Sequence, residues 1–286
     1  MRALLLSRPD IATILINVYS GGPTDSPLTS HGFIQSHRLG AHLAGRIASV
    51  GPVTYLFSSD FQQAYKTTEA IRDAHPFPAA GPTLNAKPEI IQLGELREKD
   101  FGARDGKASD STKVKAGGVF DAESETSEEV NARAKRFLDA ILLPLLEDLL
   151  QSKRLQSIVI VAHGGIHSYV WLQFILLLRN LCTQTISTPG TLQLESVPLD
   201  DFLANAAYHE IILKAPEQFL MASSSRPGDS RRAGQALSSV QVSLGANNYT
   251  DHLSGLKKTG GGIGSARFDA KQRTIDSFFG SKSHTR

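Results

Sequence analysis

The spacing of apolar and polar positions changes several times along the first 220 residues. Three short apolar runs, Val53–Phe57, Ser157–Ala162 and Ala207–Leu213, have the length and β-branched content of strands. Between His31 and Ser49, Leu39, Leu43 and Ile47 recur at helical spacing, and the pattern from Phe61 to His75 also predicts a helix. A third helix opens at a capping box, Thr126 with Glu129, and carries Val130, Ala134, Phe137, Ile141 and Leu145 down one face. Pro144 is expected to kink it. The segment Tyr169–Leu181 is apolar on nearly every side and reads as a helix buried in the body. Strands alternating with helices predict a parallel or mixed sheet flanked by helices. For a first strand the chain offers two registers, ALLLSRPD and IATILIN. No internal repeat is present.

A chain of 286 residues with 41% hydrophobic and 20% charged side chains has enough material for a full core, which excludes a fibrous or wholly disordered protein. The net charge of +2 is unevenly divided: residues 222–286 carry +6, leaving −4 for residues 1–221. The basic part is rich in Ser, Gly and Asn and poor in apolar periods. It is therefore read as a disordered tail, 222–286, behind a folded domain, 1–221. The single cysteine, Cys182, makes no intramolecular disulfide, and the apolar stretch Ala3–Leu6 is too short for a signal-peptide core. The longest apolar run, Val170–Leu178, falls far short of the roughly 20 residues that span a bilayer. These features predict a soluble protein of the cytosol or nucleus, with no membrane association.

In open α/β sheets ligands gather at the carboxyl ends of the strands, and three such places carry polar groups. His163 follows SIVIVA directly and precedes two glycines that let a ligand approach the backbone. His163 and His167 have the spacing of metal ligands on a helix, but with no acidic or cysteine partner nearby zinc is not expected. Ser58, Ser59 and Asp60 end the strand YLF and suit the cap of the helix that begins at Phe61. The loop IIQLGELREKDFGARDGK sets Glu95, Glu98 and Asp100 among basic residues.

Four segments, LTSHGFIQSHRLGAHL, LFSSDFQQAYKTTEAI, LREKDFGARDGK and VIVAHGG, follow the order and spacing of the histidine phosphatase superfamily, the phosphoglycerate mutase-like proteins. The resemblance runs from about residue 19 to residue 215 and is closest to fungal members. It implies a three-layer α/β/α sandwich. It also implies phosphomonoester chemistry in which a histidine of an Arg-His-Gly motif, ending the first strand, attacks the phosphoryl group. Two arginines and a second histidine hold the phosphate oxygens and a glutamate protonates the leaving group. Such chemistry needs a positioned nucleophile and cationic donors, and no metal or other cofactor. By this match His163 is the second phosphate-pocket histidine and Glu98 the proton donor, with Glu95 the weaker candidate.

The chain contains no Arg-His-Gly. In the register ALLLSRPD, Arg8 falls about where the family has its phosphate arginine, and Pro9 stands where the nucleophile belongs; in the register IATILIN, Asn17 and Tyr19 lead on with neither His nor Arg. Gln63 in SSDFQQA occupies the place of the second phosphate arginine. His31 and His42 fall on a predicted helix and do not replace the nucleophile. The expectation is a histidine phosphatase-like protein that is inactive as written. A wrong start or splice junction would leave the same abrupt break, whereas Gln63 favours degeneration.

Near the end, KQRTIDSFFGSKSHTR sets Gln272, Ile275, Phe278 and Phe279 at the spacing Q-x-x-I-x-x-F-F. One helical turn would present Ile275 and the two aromatics together as anchors for a hydrophobic groove. The spacing resembles the PIP box, the peptide that binds the sliding clamp PCNA, with basic neighbours Lys271, Arg273 and Lys282. Clamp binding is thus a second expectation, beside a phosphorylated small molecule in the body. The run Gly260–Gly264 reads as a linker. A charge of +6 over 65 residues with few aromatics is too weak a footprint to predict direct nucleic-acid binding.

Overall fold

Strand β1, Asp10–Val18, is the segment DIATILINV, so the second of the two registers is the strand and Arg8 lies outside the described residues. Its side chains from Ile11 to Val18 are all buried, because helices cover both faces of the sheet. The computed structural model describes residues 10–18, 25–75, 87–102, 124–151, 154–181, 203–214, 240–257 and 266–269.

After β1 come α1 (Ser30–Gly45), a short turn of helix α2 (Ile47–Val50), β2 (Val53–Ser59) and α3 (Gln62–Ala74). Next are β3 (Ile90–Leu93), a 3₁₀ turn Gly94–Leu96, α4 (Ser127–Phe137), a π turn Leu138–Leu142 and α5 (Leu143–Gln151). The chain ends on β4 (Gln156–His163), α6 (Gly164–Leu181), β5 (Tyr208–Lys214) and β6 (Gln241–Tyr249), followed by a 3₁₀ turn Asp251–Leu253. The six strands form one sheet in the order β3-β2-β4-β1-β5-β6. β1 to β4 run parallel, and β5 is antiparallel to both β1 and β6.

Strand alternation sorts the core into two layers. Ile11, Leu15, Ile158, Ile160 and Ala162 face α4, α5 and α6, with Phe137, Leu142 and Phe174 filling that side. Ile14, Ile16, Val18, Val159 and Val161 face Leu39 and Leu43 of α1 and Ile71 of α3. The architecture is the three-layer α/β/α sandwich that the motif resemblance implies.

Several expectations are corrected. The segment IIQL, read as loop, is β3: Ile90 is buried and the strand pairs in parallel with β2 over Leu56–Ser59. Only four residues long, it has no period to reveal. The helix beginning near His31 ends at Gly45, and residues 47–50 form a separate turn. Helix α6 is not buried all round: Val170, Phe174, Ile175 and Leu178 face the core, whereas Leu176 is 37% exposed. Leu176 points away because one helix face is enough to cover a sheet.

Pro144 breaks the helix by another route than a simple bend. The π turn Leu138–Leu142 precedes it, with the Leu143 N–H donating to the Leu138 carbonyl. A proline lacks the N–H for the carbonyl four residues earlier and crowds it, and a wider turn relieves both.

The division at residue 221 is also corrected. β6 lies inside the stretch read as a disordered tail, and Val240, just before it, and Val242, on it, are buried in the core. Antiparallel pairing with β5 satisfies the backbone of a segment whose Ser, Gly and Asn content hid it. Residues 266–269 also rest on the body, and Gln272, Ile275, Phe278 and Phe279 lie outside the described residues.

Candidate functional site

The carboxyl ends of β1, β2 and β4 meet at one edge of the sandwich. Val18 is the register partner of His163 across the β1–β4 pair, with Asn17 opposite Ala162. His163 is fully buried and its Nε2 lies 2.9 Å from Ser59 Oγ at the end of β2. Burial holds the His163 imidazole down at about 4, with the Val18 carbonyl and Asp60 pulling the other way. The ring is therefore neutral at pH 7. Phe61 packs against it at 5.5 Å between centroids, and the Arg97 guanidinium covers the same phenyl ring, also at 5.5 Å.

Ser59 and Asp60 do not cap α3 as their position suggested. Ser59 Oγ accepts from the Phe61 N–H at 3.3 Å, but the first helical N–H, from Gln62, donates to Asp25 Oδ1 at 2.6 Å. Asp25 also accepts from Gln62 Nε2 at 3.1 Å. Asp60 instead takes both Arg97 Nε (2.7 Å) and Nη2 (2.5 Å), which holds its carboxyl below the usual range. Ser58 Oγ turns inward to the Ser59 carbonyl.

Glu98 follows the 3₁₀ turn after β3 and is 5% exposed. Its Oε1 accepts from the backbone N–H of Lys99 (2.8 Å) and of Gly165 (2.9 Å), which seats the carboxylate on the N-terminus of α6. Burial pushes the Glu98 carboxyl up, against the hydrogen bonds from Lys99, Gly165 and Ile166. A Cβ on Gly165 would run into Glu98 Oε1, so this approach requires glycine. Glu95 contributes its carbonyl, to which Arg133 Nη1 donates at 2.9 Å.

A cleft of about 970 Å³ is lined by Asp25, Asp60, Phe61, Arg97 and Glu98 on the sheet side and by Glu125, Glu129, Arg133 and Arg136 near and along α4, while the buried His163 lies behind Phe61 and outside that lining. Arg133 is committed to Glu125 at 2.7 and 2.9 Å and to the carbonyls of Glu95 and Arg97. Gln63 is half-buried in the first turn of α3, and the described lining does not include it. No cluster of metal-ligating side chains occurs among the described residues.

Asn17, in sequence merely a residue of the first strand, is a fixed part of this edge. Its Nδ2 donates to the carbonyls of Leu203 (2.9 Å) and Ala204 (3.3 Å), while its Oδ1 is buried without a hydrogen bond. Asp25, Arg97, Glu125 and Arg133, none of them a candidate by sequence, also belong to the cleft. Asp25 lies just before LTSHGF and Arg97 inside LREKD, whereas Glu125 and Arg133 flank the capping box Thr126–Glu129, a signal of helix start and not of chemistry.

Among the described residues no helix is long and apolar enough to cross a membrane. By structure, the chain is similar to mycobacterial glucosyl-3-phosphoglycerate phosphatase in complex with inorganic phosphate, with 17% identity and a TM-score of 0.50 over 87% of this chain and 100% of that one. It is also similar to a mutant phosphoserine phosphatase from Entamoeba histolytica in complex with phosphoserine, with 18% identity and a TM-score of 0.46 over 85% and 99%. No curated protein matches the chain. The family model of the histidine phosphatase superfamily (branch 1) matches residues 16–180, more than half of the chain, and with its motifs at the strand ends the chain belongs to that superfamily.

Proposed function

We propose that this chain is a histidine phosphatase-fold protein that has lost the phosphohistidine step and keeps its cleft for recognising a phosphorylated or carboxylated small molecule. The observation that carries the reading is the pairing of Val18 with His163. In the superfamily the nucleophilic histidine ends the first strand, and here that end holds Asn17 and Val18, neither of which can take a phosphoryl group as histidine does. The cations are depleted as well. Gln63 brings hydrogen bonds without charge, His163 is neutral, and Arg97 and Arg133 already face Asp60 and Glu125. Fixed positive charge around the equatorial oxygens is the main contribution of such a site to the transition state, so its loss removes most of the rate. Glu98, its carboxyl raised by burial, retains the character of a proton donor, and His163 that of a phosphate contact. Arg136, which also lines the cleft, and Arg8 would be the remaining cations of this reading.

The test is turnover of p-nitrophenyl phosphate and a panel of small phosphomonoesters by the full chain and by His163→Ala. The expected result is a rate at background that His163→Ala leaves unchanged. Turnover that falls about a hundredfold in His163→Ala would restore the enzyme reading.

A second reading, in which the body is tethered to the sliding clamp PCNA, is favoured by the spacing of Gln272, Ile275, Phe278 and Phe279. Paired aromatic anchors carry most of the energy of such contacts. Binding of the full chain to PCNA, followed by calorimetry, is expected to weaken about thirtyfold or more when Phe278 and Phe279 are both replaced by alanine. Equal affinity of the two chains would remove this reading.

A further inference from the structure

Residues Ala266–Asp269 lie across the N-terminus of α1. The Ser30 N–H donates to the Ala266 carbonyl and the Phe268 N–H to the Leu28 carbonyl, each at 3.0 Å, and Thr29 and Arg267 form an antiparallel bridge. The Phe268 ring stacks on Phe33 at 3.7 Å and 6°. Ser30 is the first residue of α1, so the strap satisfies a backbone donor that the helix itself leaves without a partner. Thr29 serves a second one, accepting from the Gly32 N–H at 3.1 Å.

The same short segment reaches the cleft. Asp25, three residues before Leu28, accepts the Gln62 N–H and so caps α3. Phe61, next to Gln62, packs on His163 and lies under Arg97. Phe268 is thus joined to Leu28 by a hydrogen bond, Leu28 to Asp25 by three residues of chain, and Asp25 through Gln62 and Phe61 to the groups around His163. Two backbone hydrogen bonds and one stacked pair are among the contacts that hold the strap, whose Ala266, Arg267 and Asp269 are exposed, so that it can open locally without unfolding the sheet.

We propose that Ala266–Asp269 is a latch that ties the C-terminal segment to the cleft. Seated, it caps α1 and holds Asp25 on the N-terminus of α3. Released, it uncaps the first turn of α1 and loosens the Asp25–Gln62 contact, which frees Phe61 to shift against His163. Anything that pulls on residues 270–286 then changes the cleft, and by reciprocity a ligand that rigidifies the cleft tightens the latch. The inference does not depend on which ligand the cleft takes or on which partner the tail binds.

The test is native-state amide hydrogen exchange on the full chain, resolved by residue, in the wild type and in Phe268→Ala. In the wild type, the amides of Ser30, Phe268 and Gln62 are expected to open with a common denaturant dependence. In Phe268→Ala, all three exchange about tenfold faster, while Val159 and Val161 in the sheet centre do not change. Faster exchange at Ser30 and Phe268 with Gln62 unchanged would overturn the proposal, because the strap would then be a local fixture. Should Phe268→Ala fail to fold, Phe268→Leu, which removes the stacking but keeps apolar bulk, gives the same comparison, and the wild-type denaturant series decides independently of any variant.

Discussion

Lowering the pH from 6.5 to 4.5 is expected to reduce the stability of this protein by about 5 kcal/mol, a loss comparable with the whole stability of many domains. Two imidazoles carry the effect. Burial holds His163 down at about 4, and burial together with the neighbouring His209 holds His167 down at about 3. Both side chains are at most 1% exposed. Above pH 6.5 these rings are neutral in both the folded and the unfolded chain, so the stability is fully present. As the pH falls below the unfolded value, the unfolded chain takes up protons that the fold refuses, and each histidine costs about 1.4 kcal/mol per unit until its folded value is reached. His252, held down at about 4 chiefly by burial, adds in the same direction but is only half-buried and counts for less. The Glu98 carboxyl, raised by burial, opposes the trend over the carboxylate range. Urea midpoints between pH 7 and pH 4.5 measure the slope, and His167→Asn should flatten it. A midpoint that stays level would mean that water reaches both rings in the fold. A phosphate ligand that stabilised the imidazolium of His163 would raise its folded value and so shrink the loss, which makes the profile a reporter of binding as well as of folding.

Replacing Arg46 with alanine is expected to cost about 3 kcal/mol. Arg46 caps the C-terminus of α1 and reaches across to β5, with Nη2 at 2.8 Å from Glu210 Oε2 and Nη1 at 3.0 Å from the Tyr208 hydroxyl. Glu210 is 1% exposed and its Oε1 is without a hydrogen bond, so removal of Arg46 strands a buried carboxylate. Arg46 itself is 24% exposed, which places the cost at the lower end for a broken buried pair. Gly245 on β6 is part of the same arrangement, since a Cβ there would collide with Glu210 Oε2. The second hydroxyl contact, His42 Nε2 to Tyr208 at 2.9 Å, survives the change. Urea unfolding of Arg46→Ala, and of the double variant Arg46→Leu with Glu210→Leu, separates the pair from its surroundings. The double variant should recover most of the loss, because two apolar side chains need no partner. A loss below about 1 kcal/mol in the single variant would show that water already solvates Glu210 and that β6 grips the sheet less firmly than its pairing implies.

The strands and helices that the chain's periodicity announces are the ones that fill both layers of the core. Val53–Phe57, Ser157–Ala162 and Ala207–Leu213 all lie within β2, β4 and β5 or reach one residue beyond them, and the capping box Thr126–Glu129 opens α4 with both of its hydrogen bonds made. The motif VIVAHGG puts His163 directly after a strand-like run, and it is the last residue of β4; LREKD puts Glu98 in a loop, and it follows the 3₁₀ turn after β3. Local pattern is enough for this because burial on a sheet or helix face repeats with the period of the element itself. Three other features have no local signal. β6 is polar in sequence and becomes a strand only because β5 offers it a free edge; Asp25 caps α3 from 37 residues away; and Arg133 enters the cleft from α4 to meet Glu125 and the carbonyls after β3. The sequence by itself determined the layer architecture, the candidate residues His163 and Glu98 and the absence of a histidine at the end of the first strand, since each is written in consecutive residues. Only the tertiary structure decided that Val18 stands opposite His163, that Arg97 and Arg133 of the cleft are already paired with carboxylates, and that the chain beyond residue 221 belongs partly to the body. Hydrogen bonds and ion pairs between distant segments depend on which elements the packed sheet brings together, and no period along the chain records that choice.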